Sequence, residues 1–262
     1  MDSNSRDAAE RIWNCWQNGT VMDHLPEDVR PVTRAEGYAV QAHLAALSDA
    51  AVFGWKIAAT SSAGQSHIGV SSPLAGRLLG ERVFQSGQML TFGANRMAVA
   101  EPEFAFRMDR RFEPRAEPYA PAEVMDAVDT LHTAIEVPDS RFANFAGVGE
   151  AVLIADNACA HEFVIGPPMP EDWRSRDLAA HPVEISVVGG ETHVGVGANV
   201  LGDPRIALNW LVNELRQNGI ALEAGMTVTT GTCATPIPIK VGDTVMADYG
   251  PLGHLEITFA SP

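Results

Sequence analysis

The run Ala100-Glu101-Pro102-Glu103-Phe104-Ala105-Phe106 sets two carboxylates two residues apart in a β-prone stretch. Successive side chains on a strand point to opposite faces, so Glu101 and Glu103 project from the same one. Two such carboxylates repel each other unless a proton or a metal ion sits between them. A third acid, Glu136, lies in a second apolar run, Thr133-Ala134-Ile135-Glu136-Val137. Three converging carboxylates make a hard, oxygen-rich set suited to Mg²⁺ or Mn²⁺. The Glu-x-Glu spacing by itself also fits the solvent face of an edge strand, so the rest of the chain must decide.

The elements that would position these acids can be read from periodicity. Ala8, Ala9, Ile12, Trp13 and Trp16 recur at helical spacing, and Gly19 ends that helix. Thr33-Arg34-Ala35-Glu36 is a capping box opening a second helix, with Val40, Leu44 and Leu47 on its buried side. After Phe53 short apolar strands alternate with Gly and Pro turns. Val183–Val187 alternates inward and outward, and Gly189-Gly190 offers a two-residue hairpin turn into Thr192–Val196. Asp203-Pro204 caps a helix whose face is Ile206, Ala207, Trp210, Leu211 and Leu215. Strands return at Thr227–Thr229, Thr244–Asp248 and Leu255–Phe259. The pattern predicts an α+β chain with a mostly antiparallel or mixed β body. Residues 1–50 are expected to form a helical segment packed on a body of residues 51–262.

Composition narrows the function. The chain has 262 residues, 46% of them hydrophobic, enough for one large domain or two unequal ones. Mean hydropathy is near zero, and no apolar run approaches about 18 residues, so no membrane span is expected. The first residues lack a basic segment followed by an apolar one, so no signal peptide is expected. Cys15, Cys159 and Cys233 are far apart and odd in number, which predicts a reducing cytoplasm and no disulfide framework. A net charge of −15, from 33 acids against 18 bases, argues against nucleic acid or an anionic membrane as partner. An anionic substrate would then need a local positive centre.

The ordered motifs of the chain resemble the fumarylacetoacetate hydrolase superfamily, most of all its 2-keto-4-pentenoate hydratase and 4-oxalocrotonate decarboxylase branch. The resemblance runs from Gly54-Trp55-Lys56-Ile57-Ala58 through Ala100-Glu101-Pro102-Glu103 and Ile135-Glu136-Val137-Pro138-Asp139. It continues through Asp156-Asn157-Ala158, Leu201-Gly202-Asp203-Pro204, Thr230-Gly231-Thr232 and Gly242-Asp243. It implies the fumarylacetoacetase C-terminal-like fold, a β-rich roll of mixed sheets with a metal at its open end. It implies that Glu101, Glu103 and Glu136 hold one Mg²⁺ or Mn²⁺, with Lys56 nearby as positive partner or proton donor. The residues around Lys56 do not themselves exclude a surface lysine that buries only its stem.

The activity implied is that of a lyase, a hydratase adding water at C4 of a 2-hydroxy-2,4-dienoate (2-keto-4-enoate) through a metal-stabilised enolate, in catabolism of aromatic compounds. The alternative is decarboxylation of a 4-oxalocrotonate-type 2-oxo acid. A C–C hydrolase lacks its N-terminal His–Glu counterpart here, and a non-catalytic partner subunit would have little reason to keep all three acids and Lys56. A homo-oligomer is expected, and a complex with a related decarboxylase or hydratase is compatible with the resemblance. Substrate contacts are assigned to Lys56, Arg141, Cys159, Thr232 and Leu74. Arg141 could bind a carboxylate or pair with Asp139. Cys159 could be a pocket residue or a small core filler. Thr232 could meet the substrate or stabilise its own turn. Leu74 stands where many relatives carry an acid, which predicts a changed proton route and a more apolar pocket mouth favouring a less charged tail.

Overall fold

The structure is a computed structural model and describes residues 2–261. Helices α1 (Asp2–Asn18) and α2 (Arg34–Ala46) come first. The strands are β1 (Val52–Ala58), β2 (Leu74–Leu79), β3 (Val83–Gln85), β4 (Met89–Thr91), β5 (Val99–Met108), β6 (Val128–Val137), β7 (Glu162–Pro168), β8 (Pro182–Val187), β9 (Thr192–Val196), β10 (Thr227–Thr232), β11 (Ile237–Pro238), β12 (Thr244–Asp248) and β13 (His254–Ala260). Between them lie α3 (Ser62–Ile68), α4 (Pro121–Met125), α5 (Glu150–Ala155) and α6 (Pro204–Gln217).

The strands form two mixed sheets. The larger runs β2-β1-β10-β5-β6-β7-β3, with β11 pairing the start of β5. The smaller runs β4-β13-β12-β8-β9. Pairs β1/β10, β3/β7 and β4/β13 are parallel and the others antiparallel. One apolar core joins the two sheets, with Phe104, Phe106 and Val228 of the larger sheet in the same cluster as Val183, Ile185, Val245 and Ile257 of the smaller. This is the α+β roll that the resemblance implies.

The helical segment at the start has its own seam. Ala8, Ala9, Ile12, Trp16, Val40 and Leu44 pack with Leu79, Phe142, Val152 and Ala155 of the body. The Thr33 box forms as expected: the Thr33 hydroxyl accepts from the Glu36 N–H, and Glu36 accepts from the Thr33 N–H. Asp203 caps α6 through the Arg205 N–H. Three details differ from the sequence expectation. Leu47, expected on the buried side of α2, is exposed because the helix ends at Ala46 and Leu47 is its C-cap. The β8–β9 turn holds three residues, 188–190, because the Val187 N–H bonds to the Glu191 carbonyl and Gly189 alone carries positive φ. Ile206 is exposed; the buried face of α6 is Ala207, Leu208, Leu211, Val212 and Leu215, one residue around the helix.

Candidate active site

Strands β5 and β6 pair in a register that sets Glu101 directly opposite Glu136, with Glu103 opposite Ala134. Each of Glu101, Glu103 and Glu136 brings one carboxylate oxygen within 4.8 Å of the others. The β10 strand runs along the other side of β5. There the Thr229 hydroxyl and the Gly231 N–H, the latter at 2.9 Å, both donate to Oε2 of Glu103. That fixes one oxygen of Glu103 and leaves its Oε1 without a donor; Oε2 of Glu136 has none either. Unpartnered buried carboxylate oxygens are costly. One oxygen from each of Glu101, Glu103 and Glu136, converging in this way, makes a hard donor set that fits a divalent cation.

Lys56 enters from β1, which lies beside β10. Its Nζ pairs with Oε1 of Glu136 at 2.9 Å and donates to the Ala158 carbonyl at 3.0 Å. Burial opposes its charge, but Glu136, Glu101 and Glu103 outweigh that and push its pKa up to about 12. It is a fixed cation at neutral pH. Burial also raises the carboxyls: Glu101 to about 7, helped by Glu136, and Glu103 well above the usual range, helped by Glu136 and Glu101. Glu136 is raised by burial against the opposing pull of Lys56. Four ionisable groups are thus enclosed with one positive and three potential negative charges.

The carbonyl that holds Lys56 comes from an unusual turn. Asn157, Ala158 and Cys159 all have positive φ, at 56°, 51° and 60°. Three consecutive non-glycine residues in the left-handed region are strained. The turn is braced by Asn157, whose side chain accepts from the Arg77 N–H and donates to the Arg77 carbonyl. Gly76 makes room for it, since a Cβ there would lie 2.2 Å from the Asn157 carbonyl oxygen.

Of these groups Lys56, Glu101, Ala158 and Cys159 line a cavity of about 820 Å³. Glu101 is partly exposed because it stands on the cavity wall, although protein surrounds it on the other sides. Much of the remaining wall is apolar, including Ile57, Ala58, Met97, Val99 and Phe145. Helix α3 contributes Ala63, Gly64, His67 and Ile68, and the His67 ring meets Phe145 edge-on at 5.8 Å between centroids.

No family model matches the chain. Among curated proteins it is 31% identical over 208 residues to a 2-keto-4-pentenoate hydratase of Burkholderia vietnamiensis, covering 79% of this chain and 78% of the relative. The chain belongs to the 2-keto-4-pentenoate hydratase and 4-oxalocrotonate decarboxylase branch of the fumarylacetoacetate hydrolase superfamily. A 2-oxo-hept-4-ene-1,7-dioate hydratase of Escherichia coli is 29% identical, with 88% of this chain and 89% of the relative covered. The solved 4-oxalocrotonate decarboxylase from Pseudomonas putida G7, complexed with magnesium and adipate, superposes with a TM-score of 0.89 at 25% identity, over 99% of this chain and 98% of that one. The chain is accordingly an enzyme of the lyase type.

The other residues that this hydratase–decarboxylase resemblance brought forward fall into two groups. Cys159 and Thr232 face the cavity. Burial pushes the Cys159 thiol up to about 12, so it is an uncharged wall group. The Thr232 hydroxyl donates to the Ala234 carbonyl at 2.6 Å, which stabilises its own turn. Arg141 and Leu74 lie elsewhere. Arg141 is 2% exposed and fully used: it pairs with Asp156 and donates to the carbonyls of Asp139, Ala160 and Asp156. Both the substrate contact and the Asp139 ion pair are therefore corrected, because the nearest buried carboxylate is Asp156. Leu74 is 1% exposed within the core, paired with Ala58 across β1 and β2, and does not line the cavity. The apolar-mouth expectation is corrected with it: the side chain at the start of β2 turns into the sheet packing.

Several contributors escaped the sequence reading. Thr229 and Gly231 hold Glu103. Tyr249, fully buried, sets its hydroxyl 2.7 Å from the Glu103 carbonyl and 2.9 Å from that of Ala134, bracing β5 against β6 beneath the acids. A hydroxyl at the end of a strand carries no spacing signal, so nothing local marked it. His161 and Glu162, adjacent in the chain, do not pair with each other; His161 accepts from the Trp16 indole at 2.9 Å.

Proposed function

We propose that the chain is a divalent-metal-dependent hydratase of a short 2-hydroxy-2,4-dienoate, the tautomer of a 2-keto-4-enoate, in the breakdown of aromatic compounds. The observation that carries this reading is the trio of converging carboxylates beside one buried ammonium at the end of a largely apolar cavity. Glu101, Glu103 and Glu136 would hold Mg²⁺ or Mn²⁺. When bound, the ion supplies Lewis acidity toward a 2-keto acid. Lys56 keeps a positive charge beside the reacting end, and its tie to the Ala158 carbonyl fixes where that charge sits. Lys56, together with an ion held by the three carboxylates, would bias the cavity toward an anion with its oxygens at this end. Ile57, Ala58, Val99 and Phe145 enclose the carbon chain and limit water to the polar edge. The same reading takes the enzyme to be a cytoplasmic homo-oligomer, which light scattering on the purified chain checks for its second part.

Decarboxylation is the second reading, supported by the near-complete superposition on a decarboxylase. Turnover of 2-hydroxypenta-2,4-dienoate and of 4-oxalocrotonate with Mg²⁺, followed by dienol absorbance and by CO₂ release, separates the two. Dienol loss without CO₂ supports the hydratase. CO₂ release from the second substrate alone supports the decarboxylase. No turnover of either, with or without Mg²⁺, sinks both.

A further inference from the structure

Besides the Lys56 end, the cavity wall carries one strong cation, Arg96. Arg96 sits in the loop before β5, five residues ahead of Glu101. Met97, Val99 and Glu101 all face the cavity, as alternate residues of a strand do. Ala98 interrupts that alternation with a φ of 47°, which lets Arg96 face the same space.

The loop beneath Arg96 is held in place. Asp139 Oδ1 accepts from the N–H groups of Arg96 and Met97 at 3.0 and 3.3 Å. Asn95 donates to the Pro138 carbonyl at 3.0 Å and accepts from the Ala98 N–H at 2.7 Å. The loop is thereby tied to the segment that follows Glu136. The guanidinium itself makes no hydrogen bond and no ion pair among the described residues. In a chain with 33 acids and 18 bases that is unexpected. Arg34, Arg111, Arg115, Arg141 and Arg176 all find carboxylates. Arg96 lines this cavity and also the neighbouring one beside Asp139 and Arg141; an unpaired guanidinium on a fixed backbone at a cavity wall suits a carboxylate, because its planar fork matches one at two points.

We propose that Arg96 binds a carboxylate at the distal end of the substrate, so that this enzyme is selective for a 2-keto dicarboxylate over a monocarboxylate of the same length. The inference rests on the proposed function, which sets the 2-keto end at Lys56 and the three glutamates. The two cationic centres share one cavity wall with the apolar side chains of Ile57, Met97 and Val99, which suits a carbon chain with two charged ends. A substrate with an uncharged tail would leave the guanidinium facing hydrocarbon.

The test is equilibrium binding of 2-oxoadipate and 2-oxohexanoate to the full Mg²⁺-loaded chain, to Arg96→Gln and to Arg96→Lys. Arg96 is exposed, so neither variant disturbs the fold. The wild-type chain is expected to bind the dicarboxylate at least about tenfold more tightly, the scale of one charge-assisted contact. Arg96→Gln should erase that preference and leave the 2-oxohexanoate Kd unchanged, and Arg96→Lys should keep part of it. Equal Kd values in the wild-type chain, or a preference that survives in Arg96→Gln, overturn the assignment while 2-oxo acid binding still supports the proposed function. If neither acid binds the Mg²⁺-loaded chain, the proposed function fails and the Arg96 assignment fails with it.

Discussion

Glu101 stands directly opposite Glu136 across β5 and β6. Like charges in that position destabilise a sheet, and here both are enclosed. Glu103, whose Oε2 is already held by Thr229 and Gly231, completes the charge imbalance against Lys56. Glu103→Gln preserves shape and both of those contacts while removing one acid. The metal-free variant is expected to be at least as stable as the wild-type chain in denaturant melts. Mg²⁺ at about a hundred times the wild-type Kd should stabilise the wild-type chain by about 2.7 kcal/mol and the variant by almost nothing. Equal Mg²⁺ stabilisation of the two would remove Glu103 from the ion site.

Lys56→Met should move metal-free stability the other way. It takes the ammonium from Glu136 and leaves the carboxylates unbalanced in a closed space. Breaking a buried pair by removing one partner costs about 3–5 kcal/mol. Mg²⁺ should return part of that loss, since it supplies positive charge to the same acids. Turnover should fall by about 10²-fold or more even at saturating Mg²⁺. Wild-type kcat in this variant would show that Lys56 is only structural.

What could be read from the sequence was local. The same-face geometry of Glu101 and Glu103 follows from the two-residue period, and the Thr33 and Asp203 caps follow from side chains that bond their own helix. What could not be read depends on long-range pairing. The opposition of Glu101 to Glu136 is a matter of register, and the partner of Arg141 is Asp156 because the turn after α5 returns to it. The left-handed run at 157–159 is invisible because Ala and Cys rarely adopt it and no glycine marks it. Leu74 illustrates the cost of reading one aligned position: its identity is informative only if its side chain faces the cavity, and it faces the core.

The left-handed turn makes its own forecast. Ala158 is 1% exposed with φ 51°, a conformation that a β-branched residue resists strongly. Ala158→Gly gains backbone ease and loses a buried methyl, about 1 kcal/mol each way, so it should be nearly neutral. Ala158→Val should cost more than about 2 kcal/mol and lower turnover beyond its effect on the folded fraction, because the Ala158 carbonyl positions Lys56. Similar melting temperatures for the two variants would show that the turn is unstrained.

Removal of residues 1–50 should not leave a usable body. Ile12, Trp16, Val40 and Leu44 are buried against Leu79, Phe142, Val152 and Ala155, and deletion strips that surface. Exposed apolar patches of this kind drive association. A chain starting at Val52 is expected in the insoluble fraction or as large aggregates by light scattering. A soluble monomer that still binds Mg²⁺ would mean that the helical segment is dispensable.

Glu162 and His161 give the fold opposing pH dependences. Burial, reinforced by Asp139 and only partly offset by Arg82, raises the Glu162 carboxyl from 4.5 to about 7. Its stabilising contribution is complete below pH 4.5 and is lost as pH rises through about 7, because the folded chain then carries an ionised carboxylate that the unfolded chain accommodates better. Burial, with Arg82 and Arg141, lowers His161 from 6.5 to about 3. Its contribution is complete above pH 6.5 and is lost as pH falls toward 3, since the unfolded chain takes up a proton that the folded one refuses. The two slopes oppose each other between pH 4.5 and 6.5. Glu162→Gln removes one of them and leaves the His161 contribution in both chains. Relative to wild type, Glu162→Gln should therefore gain stability as pH rises from 4.5 to about 8, by about 2–3 kcal/mol, since each tenfold change in proton affinity is worth roughly 1.4 kcal/mol. Denaturant melts of both chains at about pH 4.5, 6 and 8 measure this. A difference that is flat across that range would mean that Glu162 is ionised at ordinary pKa in the folded chain, with Arg82 compensating its burial in full.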